Sequence, residues 1–325
     1  MSKAKVYVTR RIPAAGLDRV LAETDATVWE GHLPPPREEI LRQVADCEGL
    51  LCLLTDKIDG RVMDAAPKLK VIAQMAVGYD NIDVAAATAR GIPVGNTPGV
   101  LTETTADFAW ALLMATARRI GDGQKYIRDG KWQTWQPMGL LAPDLYGATL
   151  GIIGLGRIGS AFARRAQGFN MRILYANPRP KPAVAAEVGA EYVEMDRLLA
   201  ESDFVALHCP LKADTTHLIG AKELRKMKPS ALLINTARGP VVDQDALVEA
   251  LREGVIAGAG LDVTDPEPID PNHPLVHMEN VIVVPHIGSA SINARNKMAT
   301  LAANNLLAGV RGERLPHLVN PQLYE

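Results

Sequence analysis

Residues 149–160, TLGIIGLGRIGS, decide how the centre of this chain folds. Apolar positions predict a strand, and the glycines that follow have the spacing G-x-G-x-x-G ahead of a helix. In this pattern the first glycine allows a tight turn, the second lets backbone approach a pyrophosphate, and the third permits close helix–strand contact. The helix N-terminus attracts that anion because its N–H groups are unpaired. The alternative is a strand-turn-helix in which the glycines serve packing alone. We predict instead that this loop binds a dinucleotide, with contacts at Gly154, Leu155, Gly156, Arg157, Ile158 and Gly159.

On both sides of this loop, short apolar runs alternate with segments of helical periodicity, which indicates parallel strands joined by crossover helices. At 325 residues the chain exceeds the usual size of one hydrophobic core, so two domains are expected. The predicted fold class is α/β, with two Rossmann-like doubly wound domains and a cleft between them. We expect a discontinuous substrate domain, residues 1–99 plus 289–325, into which a dinucleotide-binding domain, residues 100–288, is inserted.

The overall charge excludes some classes of partner. With 35 basic and 37 acidic side chains the net charge is −2, so no global field favours nucleic acid or an anionic membrane. No apolar run approaches the ~18 residues of a membrane span. Cys47, Cys52 and Cys209 lack the paired spacing of zinc or redox sites, so no metal is predicted. We expect a cytoplasmic protein that acts on a small molecule.

The strand after the glycine loop indicates the type of dinucleotide. NAD-binding proteins usually place an acidic residue ~20 residues after the glycines, but residues 170–186, NMRILYANPRPKPAVAA, contain none. The segment instead offers Asn177, Pro178, Arg179 and Lys181, and an arginine can pair with a 2′-phosphate in bidentate fashion. NADPH is therefore the preferred cofactor, with NADH possible. The alternative is that Arg179 and Lys181 are solvated loop charges.

Further along the chain, ionisable residues follow three apolar strands, where a doubly wound sheet exposes its binding edge. They are Arg238 in NTARGPVVD, Asp262 and Glu267 in GLDVTDPEP, and His286 in VVPHIGS. Each alone has an ordinary explanation as a turn residue, a solvated acid or a structural histidine. Together they supply a carboxylate clamp, an imidazole that exchanges protons near neutral pH, and an acid that orients it.

The chain resembles the D-isomer-specific 2-hydroxyacid dehydrogenase family over nearly its whole length, and is most similar to its glyoxylate/hydroxypyruvate reductases. The resemblance rests on AVGYDNIDVAAATARGIPVGNTPGVLTETTADFAWALL, GIIGLGRIG, NTARGPVVDQDALVEAL, AGAGLDVTDPEP and PHIGSAS. It implies reduction of a small 2-keto acid by hydride transfer from NAD(P)H. It also implies that Arg238, Glu267 and His286 form the catalytic set, with Arg238 and His286 also binding substrate.

The same resemblance implies further contacts. Leu53, Val77 and Gly78 would line the substrate-carboxylate site. Asp262 would receive the nicotinamide carboxamide, although a helix-start cap is the competing interpretation. Thr105 would meet the cofactor or, alternatively, be a buried capping residue. The other implied cofactor contacts are Cys209, Pro210, Thr236, Ala237 and Gly288. Because protonated His286 would donate to the carbonyl oxygen, reduction should weaken as pH rises.

Quaternary structure and rival functions complete the expectations. Trp132 and Trp135 lie in a segment that family members use around their dimer contact, so a homodimer is expected, with a core role for both tryptophans as the alternative. Within the family, a phosphoglycerate-type or other D-2-hydroxyacid dehydrogenase is the rival, although the chain leaves no room for an appended regulatory domain. From another class, the rival is an NAD(H)-sensing binding module of the corepressor type.

Overall fold

The computed structural model describes residues 3–325, and its contacts divide the chain into two compact units. The five-stranded unit contains the described residues up to Leu101 together with Ala290–Glu325, and the seven-stranded unit is Thr102–Ser289. The functional domains predicted from the sequence stay a prediction at this stage.

The five-stranded unit is built on a parallel sheet whose strand order, β2-β1-β3-β4-β5, is that of flavodoxin-like doubly wound folds. Its strands are β1 (Lys5–Val8), β2 (Asp25–Val28), β3 (Gly49–Cys52), β4 (Val71–Gln74) and β5 (Val94–Gly95). The helices between them are α1 (Ala14–Glu23), α2 (Arg37–Val44), α3 (Gly60–Asp64) and α4 (Val84–Ala89). Asp59 and Asp83 begin α3 and α4 by accepting backbone N–H groups of Val62 and Ala86.

The seven-stranded unit is also parallel, with the order β12-β11-β10-β9-β6-β7-β8. Its strands are β6 (Thr149–Ile153), β7 (Arg172–Ala176), β8 (Ala190–Tyr192), β9 (Phe204–Leu207), β10 (Leu232–Asn235), β11 (Gly258–Leu261) and β12 (Val281–Val283). Its helices are α5 (Thr102–Ala117), α6 (Ile120–Arg128), α7 (Arg157–Gln167), α8 (Pro182–Val188), α9 (Met195–Glu201), α10 (Ala221–Leu224), α11 (Gln244–Arg252) and α12 (Pro274–His277). The strand order reverses between β6 and β9, which makes the loop after β6 the topological switch point, where such sheets bind ligands.

The last long helix, α13 (Ile292–Val310), returns to the five-stranded unit. It lies directly on the sheet, because a Cβ built on Gly309 would stand 2.3 Å from Cβ of Val71. The other face carries a separate core that includes Tyr7, Leu50 and Ile72. Residues alternate between the two faces of a strand, so both faces of this sheet are covered by apolar side chains.

The two cores of the seven-stranded unit follow the same alternation. Leu150, Ile152 and Ile234 belong to one core, whereas their strand neighbours Ile153 and Leu233 belong to the other. Continuous apolar strands such as Leu232–Asn235 are typical of parallel sheets that are buried on both faces.

The predicted α/β class with two doubly wound units is confirmed, since both sheets are parallel and have helices on both faces, whereas the cleft between domains stays a prediction. Predicted strands at 49–54 and 257–262 end one or two residues earlier, at Cys52 and Leu261, because the following residues leave the sheet to form loops. The short strands β5 and β8 were not predicted. Within residues 3–325, no helix combines the length and apolar composition that crossing a bilayer requires.

Candidate active site

The glycine loop after β6 has the geometry that its spacing predicts. Gly154 has φ +103°, and a Cβ there would lie 2.6 Å from the backbone N of Cys209, so only glycine fits. A Cβ on Gly159 would lie 2.3 Å from the carbonyl oxygen of Gly154, which explains the close approach of α7. Around Gly156, by contrast, nothing lies within 4 Å of the Cβ position. The loop therefore leaves open space beside its second glycine.

The N-terminus of α7 faces this loop without a cap. No side chain caps it, and the N–H groups of Arg157 and Ile158 donate to no atom of residues 3–325. The Leu155 N–H is engaged, because it donates to Oδ1 of Asn177 at 2.7 Å. Of the predicted loop contacts, Arg157 and Ile158 thus have N–H groups ready for an anion, whereas that of Leu155 has a protein partner.

Two buried polar atoms at the same sheet edge lack partners. Nε2 of His208 and Oγ1 of Thr236 have no hydrogen-bond partner in the part of the chain that the structure describes. His208 directly follows β9, the neighbour of β6 in the sheet order, and Thr236 directly follows β10, the next strand beyond β9. Buried polar groups are nearly always hydrogen-bonded, so the unpaired Thr236 hydroxyl, at the sheet edge that also carries the open glycine loop, indicates a bound ligand as its partner. This edge fits a dinucleotide.

The other predicted cofactor contacts of this unit lie around the same edge. Cys209 packs its backbone against Gly154, and burial raises the pKa of its thiol to about 11, so the thiol is neutral. Pro210 follows Cys209 and is exposed. Thr105 is buried inside α5, and its Cγ2 is 3.6 Å from the Cβ position of Gly288.

The end of β7 presents the predicted selectivity residues. Asn177 is half-buried, and Pro178, Arg179 and Lys181 are exposed. Backbone N–H of Lys181 donates to the hydroxyl of Tyr175 at 2.9 Å, which fixes the loop. The side chains of Arg179 and Lys181 have no ion-pair partner among the described residues.

Arg238 is held on a turn that one asparagine organises. Nδ2 of Asn235 donates to the carbonyl of Arg238 at 2.9 Å, and its Oδ1 accepts the N–H of Ala237 at 3.0 Å. Gly239 then allows a very close approach, because its Cβ would lie 1.9 Å from the carbonyl oxygen of Thr264. The loop that carries Arg238 is therefore packed against the loop that leads to Glu267.

Asp262 fixes the turn that carries His286. Its carboxylate accepts backbone N–H groups from Ile287 at 2.7 Å and Gly288 at 2.9 Å, and its carbonyl accepts the N–H of His286 at 2.9 Å. His286 has φ +52°, a backbone conformation that residues other than glycine rarely adopt without such restraint. Burial raises the pKa of Asp262 although both backbone bonds oppose it. The helix-cap alternative is wrong, because the next helix begins only at Pro274.

His286 and Glu267 form a direct pair. Nδ1 of His286 lies 2.5 Å from Oε1 of Glu267, and the two side chains are 21% and 35% exposed. The imidazole thus remains accessible while one of its nitrogens is held. Since β10, β11 and β12 are parallel neighbours, Arg238, Asp262 and His286, which follow their carboxyl ends, share one edge with the glycine loop. The structure brings together the ionisable groups predicted for this unit.

Comparison with known proteins agrees with this geometry. The family described as "D-isomer specific 2-hydroxyacid dehydrogenase, NAD binding domain" matches residues 110–288. A glyoxylate reductase of Korarchaeum cryptofilum is 55% identical over 322 residues, which cover 99% of this chain and 97% of that protein. The chain belongs to the D-isomer specific 2-hydroxyacid dehydrogenase family.

Two solved structures extend the comparison of this dehydrogenase. A protein from Thermus thermophilus has a TM-score of 0.91 at 48% identity, covering 97% of this chain and 99% of that one. An NADPH-dependent glyoxylate/hydroxypyruvate reductase from Sinorhizobium meliloti, in complex with NADP and malonate, has a TM-score of 0.86 at 35% identity, covering 98% and 97%. The family resemblance predicted from the sequence is confirmed.

The five-stranded unit of the dehydrogenase carries Leu53 after β3, and Val77 and Gly78 after the neighbouring β4. All three are partly accessible. The N–H of Leu53 donates to Oδ2 of Asp56 at 2.8 Å, so Leu53 offers its side chain rather than its N–H group. The N–H groups of Val77 and Gly78 have no acceptor among residues 3–325.

Sequence reasoning missed residues that shape the dehydrogenase site. Gln244 holds the loop before Glu267, since its Nε2 donates to the carbonyl of Asp265 at 2.6 Å and its Oε1 accepts that residue's N–H at 2.9 Å. Asn235 and His208 were not predicted either, although both lie at strand ends, whereas Gln244 is the first residue of α11. Across the described part of the chain, no three His, Cys, Asp or Glu side chains converge as metal ligands would.

Proposed function

We propose that this dehydrogenase reduces a small 2-keto acid, glyoxylate or hydroxypyruvate, to the 2-hydroxy acid, with NADPH as the preferred cofactor. The observation that carries the proposal is the His286–Glu267 pair, at 2.5 Å, on the sheet edge that also presents Arg238 and the glycine loop. Relatives named glyoxylate reductase, 50–55% identical over nearly the whole chain, support the choice of substrate. The nicotinamide, when bound, supplies the hydride.

The seven-stranded unit serves as the dinucleotide-binding domain in this proposal. The N–H groups of Arg157 and Ile158 bind the pyrophosphate beside Gly156, and the Thr236 hydroxyl gains the partner that it lacks in the protein. The five-stranded unit serves as the substrate domain. In it, the N–H groups of Val77 and Gly78 bind the substrate carboxylate, and the side chain of Leu53 lines the site.

Arg238 binds the 2-keto acid through its planar guanidinium, whose donors match a carboxylate and an adjacent carbonyl oxygen. His286 then donates its Nε2 proton to the carbonyl oxygen, so that negative charge does not accumulate there. Glu267 holds Nδ1 and stabilises the positive charge of the imidazolium. Because the donor must be protonated, reduction is expected to weaken as pH rises.

Steady-state reduction of glyoxylate and hydroxypyruvate, with 3-phosphohydroxypyruvate alongside, tests the proposal. We expect kcat above ~1 per second for one of the first two substrates, as is ordinary for an enzyme. His286→Ala and Arg238→Lys should each lose most of this rate, whereas His277→Ala, at an exposed histidine of the same unit, should not. Clear preference for the phosphorylated acid, or nucleotide binding with negligible turnover, would contradict the proposal and favour the rival functions.

The cofactor preference rests on the end of β7, where Arg179 and Lys181 are exposed and no acidic residue lies in residues 170–186. We propose that Arg179 pairs with the 2′-phosphate of NADPH. Arg179→Ala should raise KM for NADPH about tenfold and leave KM for NADH unchanged, and Arg225→Ala should change neither. A wild-type enzyme that clearly prefers NADH would refute this preference.

We further propose a homodimer in the cytoplasm. Helix α6 has no buried residue, and Ile127, Trp132, Trp135 and Met138 expose large apolar side chains. Trp132 and Trp135 are 64% and 79% exposed, so a core role within the chain is excluded. A second copy is the proposed cover for this surface. Sedimentation of the wild-type protein should give twice the mass of one chain, and Trp135→Glu should shift the measured mass toward that of the monomer. A monomeric wild-type protein would exclude the dimer.

A further inference from the structure

We propose that the side-chain amides of Gln74 and Asn81 position the backbone N–H groups that bind the substrate carboxylate in the five-stranded unit. In this role the amide pair, Gln74 and Asn81, sets the KM for the 2-keto acid without contacting it. The inference rests on the proposed function of this unit, and it adds the N–H of Tyr79 as a third donor.

Asn81 joins two loops that follow neighbouring strands. Its Nδ2 donates to the carbonyl of Leu53 at 3.0 Å and to the carbonyl of Asp56 at 2.8 Å, both in the loop after β3. Its Oδ1 accepts Nε2 of Gln74, at the end of β4, at 2.7 Å. The loop of Leu53 is thereby tied to the loop that contains Val77 and Gly78.

Gln74 supplies the second half of the connection. It is fully buried, its Nε2 donates to the carbonyl of Gly78 at 3.3 Å, and its Oε1 accepts the thiol of Cys52 at 3.0 Å. Every polar atom of this amide therefore has a protein partner. A buried amide with such a set of bonds is costly to rearrange, so it fixes the loop in one conformation.

Three successive carbonyl groups of the loop each accept a hydrogen bond from elsewhere in the unit. The carbonyl of Ala76 accepts the N–H of Thr97 at 2.9 Å, that of Val77 accepts Nδ2 of Asn96 at 2.8 Å, and that of Gly78 accepts Gln74. In a trans peptide the N–H points opposite to the C=O of the same peptide plane. The N–H groups of the three following residues therefore point away from these partners.

Those three N–H groups belong to Val77, Gly78 and Tyr79, and none has an acceptor within the described residues. Successive unpaired backbone N–H groups can together donate to a carboxylate. Two of the three were expected to line the substrate site from the family resemblance. The orientation of the third, Tyr79, depends directly on the bond from Gln74 to Gly78.

Asn81→Asp is the first test, because it keeps the shape and the oxygen that accepts Gln74 but removes both donors to the loop of Leu53. We expect KM for glyoxylate and the inhibition constant of oxalate, an unreactive carboxylate, to rise about tenfold. KM for NADPH and its dissociation constant from fluorescence titration should stay within twofold, because the amide pair does not belong to the dinucleotide-binding unit.

Asn320→Asp is the matched control. Asn320 is likewise buried in this unit, with Oδ1 accepting the N–H of Val94 and Nδ2 donating to Thr88 and Ile92, but it lies where β5 begins, at the opposite edge of the sheet. Asn320→Asp should lower Tm about as much as Asn81→Asp does, but it should leave the KM for glyoxylate unchanged. If both variants change KM alike, the amide pair is merely structural and the proposal is overturned.

Gln74→Met keeps the inference testable if Asn81→Asp fails to fold, because methionine is of similar length and introduces no buried charge. It should raise KM for glyoxylate, and the double variant should be little worse than either single one, since the side chains of Gln74 and Asn81 are directly hydrogen-bonded to each other. Unchanged KM in folded Gln74→Met would refute the inference. A wild-type enzyme that reduces no 2-keto acid would instead refute the proposed function, and oxalate binding alone would then show whether the loop binds carboxylates.

Discussion

Nδ1 of His286 lies 2.5 Å from Oε1 of Glu267, which leaves Nε2 as the imidazole nitrogen that can exchange a proton with substrate. No atom among residues 3–325 occupies Nε2 through a hydrogen bond. The pair therefore has one held nitrogen and one available nitrogen, as an oriented general acid requires.

Glu267→Gln should keep the hydrogen bond but remove the negative charge. The imidazolium then loses stabilisation, so kcat for reduction should fall about 10- to 100-fold. Steady-state kinetics at one pH measure this loss. Glu253→Gln, at the exposed end of α11, is the control and should match wild type. An unchanged kcat for Glu267→Gln would remove Glu267 from the mechanism.

Gly288→Ala tests the restraint on the His286 turn. A Cβ at position 288 would lie 2.8 Å from Oδ2 of Asp262, so the bond between the Gly288 N–H and this oxygen should break. We expect kcat to fall about tenfold with a modest loss of Tm, because His286 loses part of what holds its positive φ. Asp262→Asn, which can accept only one of the two N–H groups, should resemble it. Wild-type kcat in both variants would show that the turn needs no such restraint.

Gly156→Ala should separate cofactor binding from stability. Nothing lies within 4 Å of its Cβ position, and its φ of −92° suits alanine, so Tm should not fall. The methyl group would occupy the space beside the loop where a pyrophosphate must approach. We expect the dissociation constant for NADPH to rise at least tenfold by fluorescence titration. Gly168→Ala, at the other end of α7, should alter neither quantity; NADPH binding unaffected by Gly156→Ala would argue against a cofactor here.

His208 should make stability depend on pH. Burial lowers the pKa of His208 to about 4, from 6.5, so the unfolded chain binds the proton more tightly than the folded protein. Its contribution is fully present above pH 6.5 and is lost as pH falls toward 4, by about 3 kcal/mol in the free energy of unfolding. Chemical denaturation between pH 4 and 7 should therefore show a shallower acid decline for His208→Gln than for wild type. His32→Gln, at an exposed histidine, should retain the wild-type dependence of unfolding free energy on pH. The same dependence in all three proteins would show that His208 does not contribute to the acid decline.

The parts of the site that the sequence predicted are those with a fixed local cause. Gly154 is required because its φ is positive, and Gly159 because α7 approaches the loop closely. The spacing of these glycines can be read directly from the sequence. Arg238, Asp262 and His286 were found because ionisable residues after apolar strands of a parallel sheet collect at one edge. Periodicity placed these strands to within one or two residues.

The parts that the sequence did not predict depend on bonds between distant side chains and backbone. Asn177 holds Leu155 across 22 positions, and Asn81 holds Leu53 across 28, yet neither asparagine differs in pattern from an ordinary turn residue. The strand Val94–Gly95 is too short to show alternation, and it exists because it pairs with β4. These hydrogen bonds and this short strand depend on tertiary contacts, so they cannot be predicted from any short window of neighbouring residues.

The position of α13 has a consequence for protein synthesis. The strands of the five-stranded sheet are synthesised before the seven-stranded unit, yet one face of that sheet receives Leu306 and Gly309 only when α13 has been made after that unit. Until then, apolar side chains of this sheet, such as those of Val71 and Leu51, remain exposed to solvent. The seven-stranded unit, by contrast, can already bury both of its cores. We therefore expect a chaperone that binds apolar segments to protect the strands of the five-stranded sheet until α13 has been synthesised.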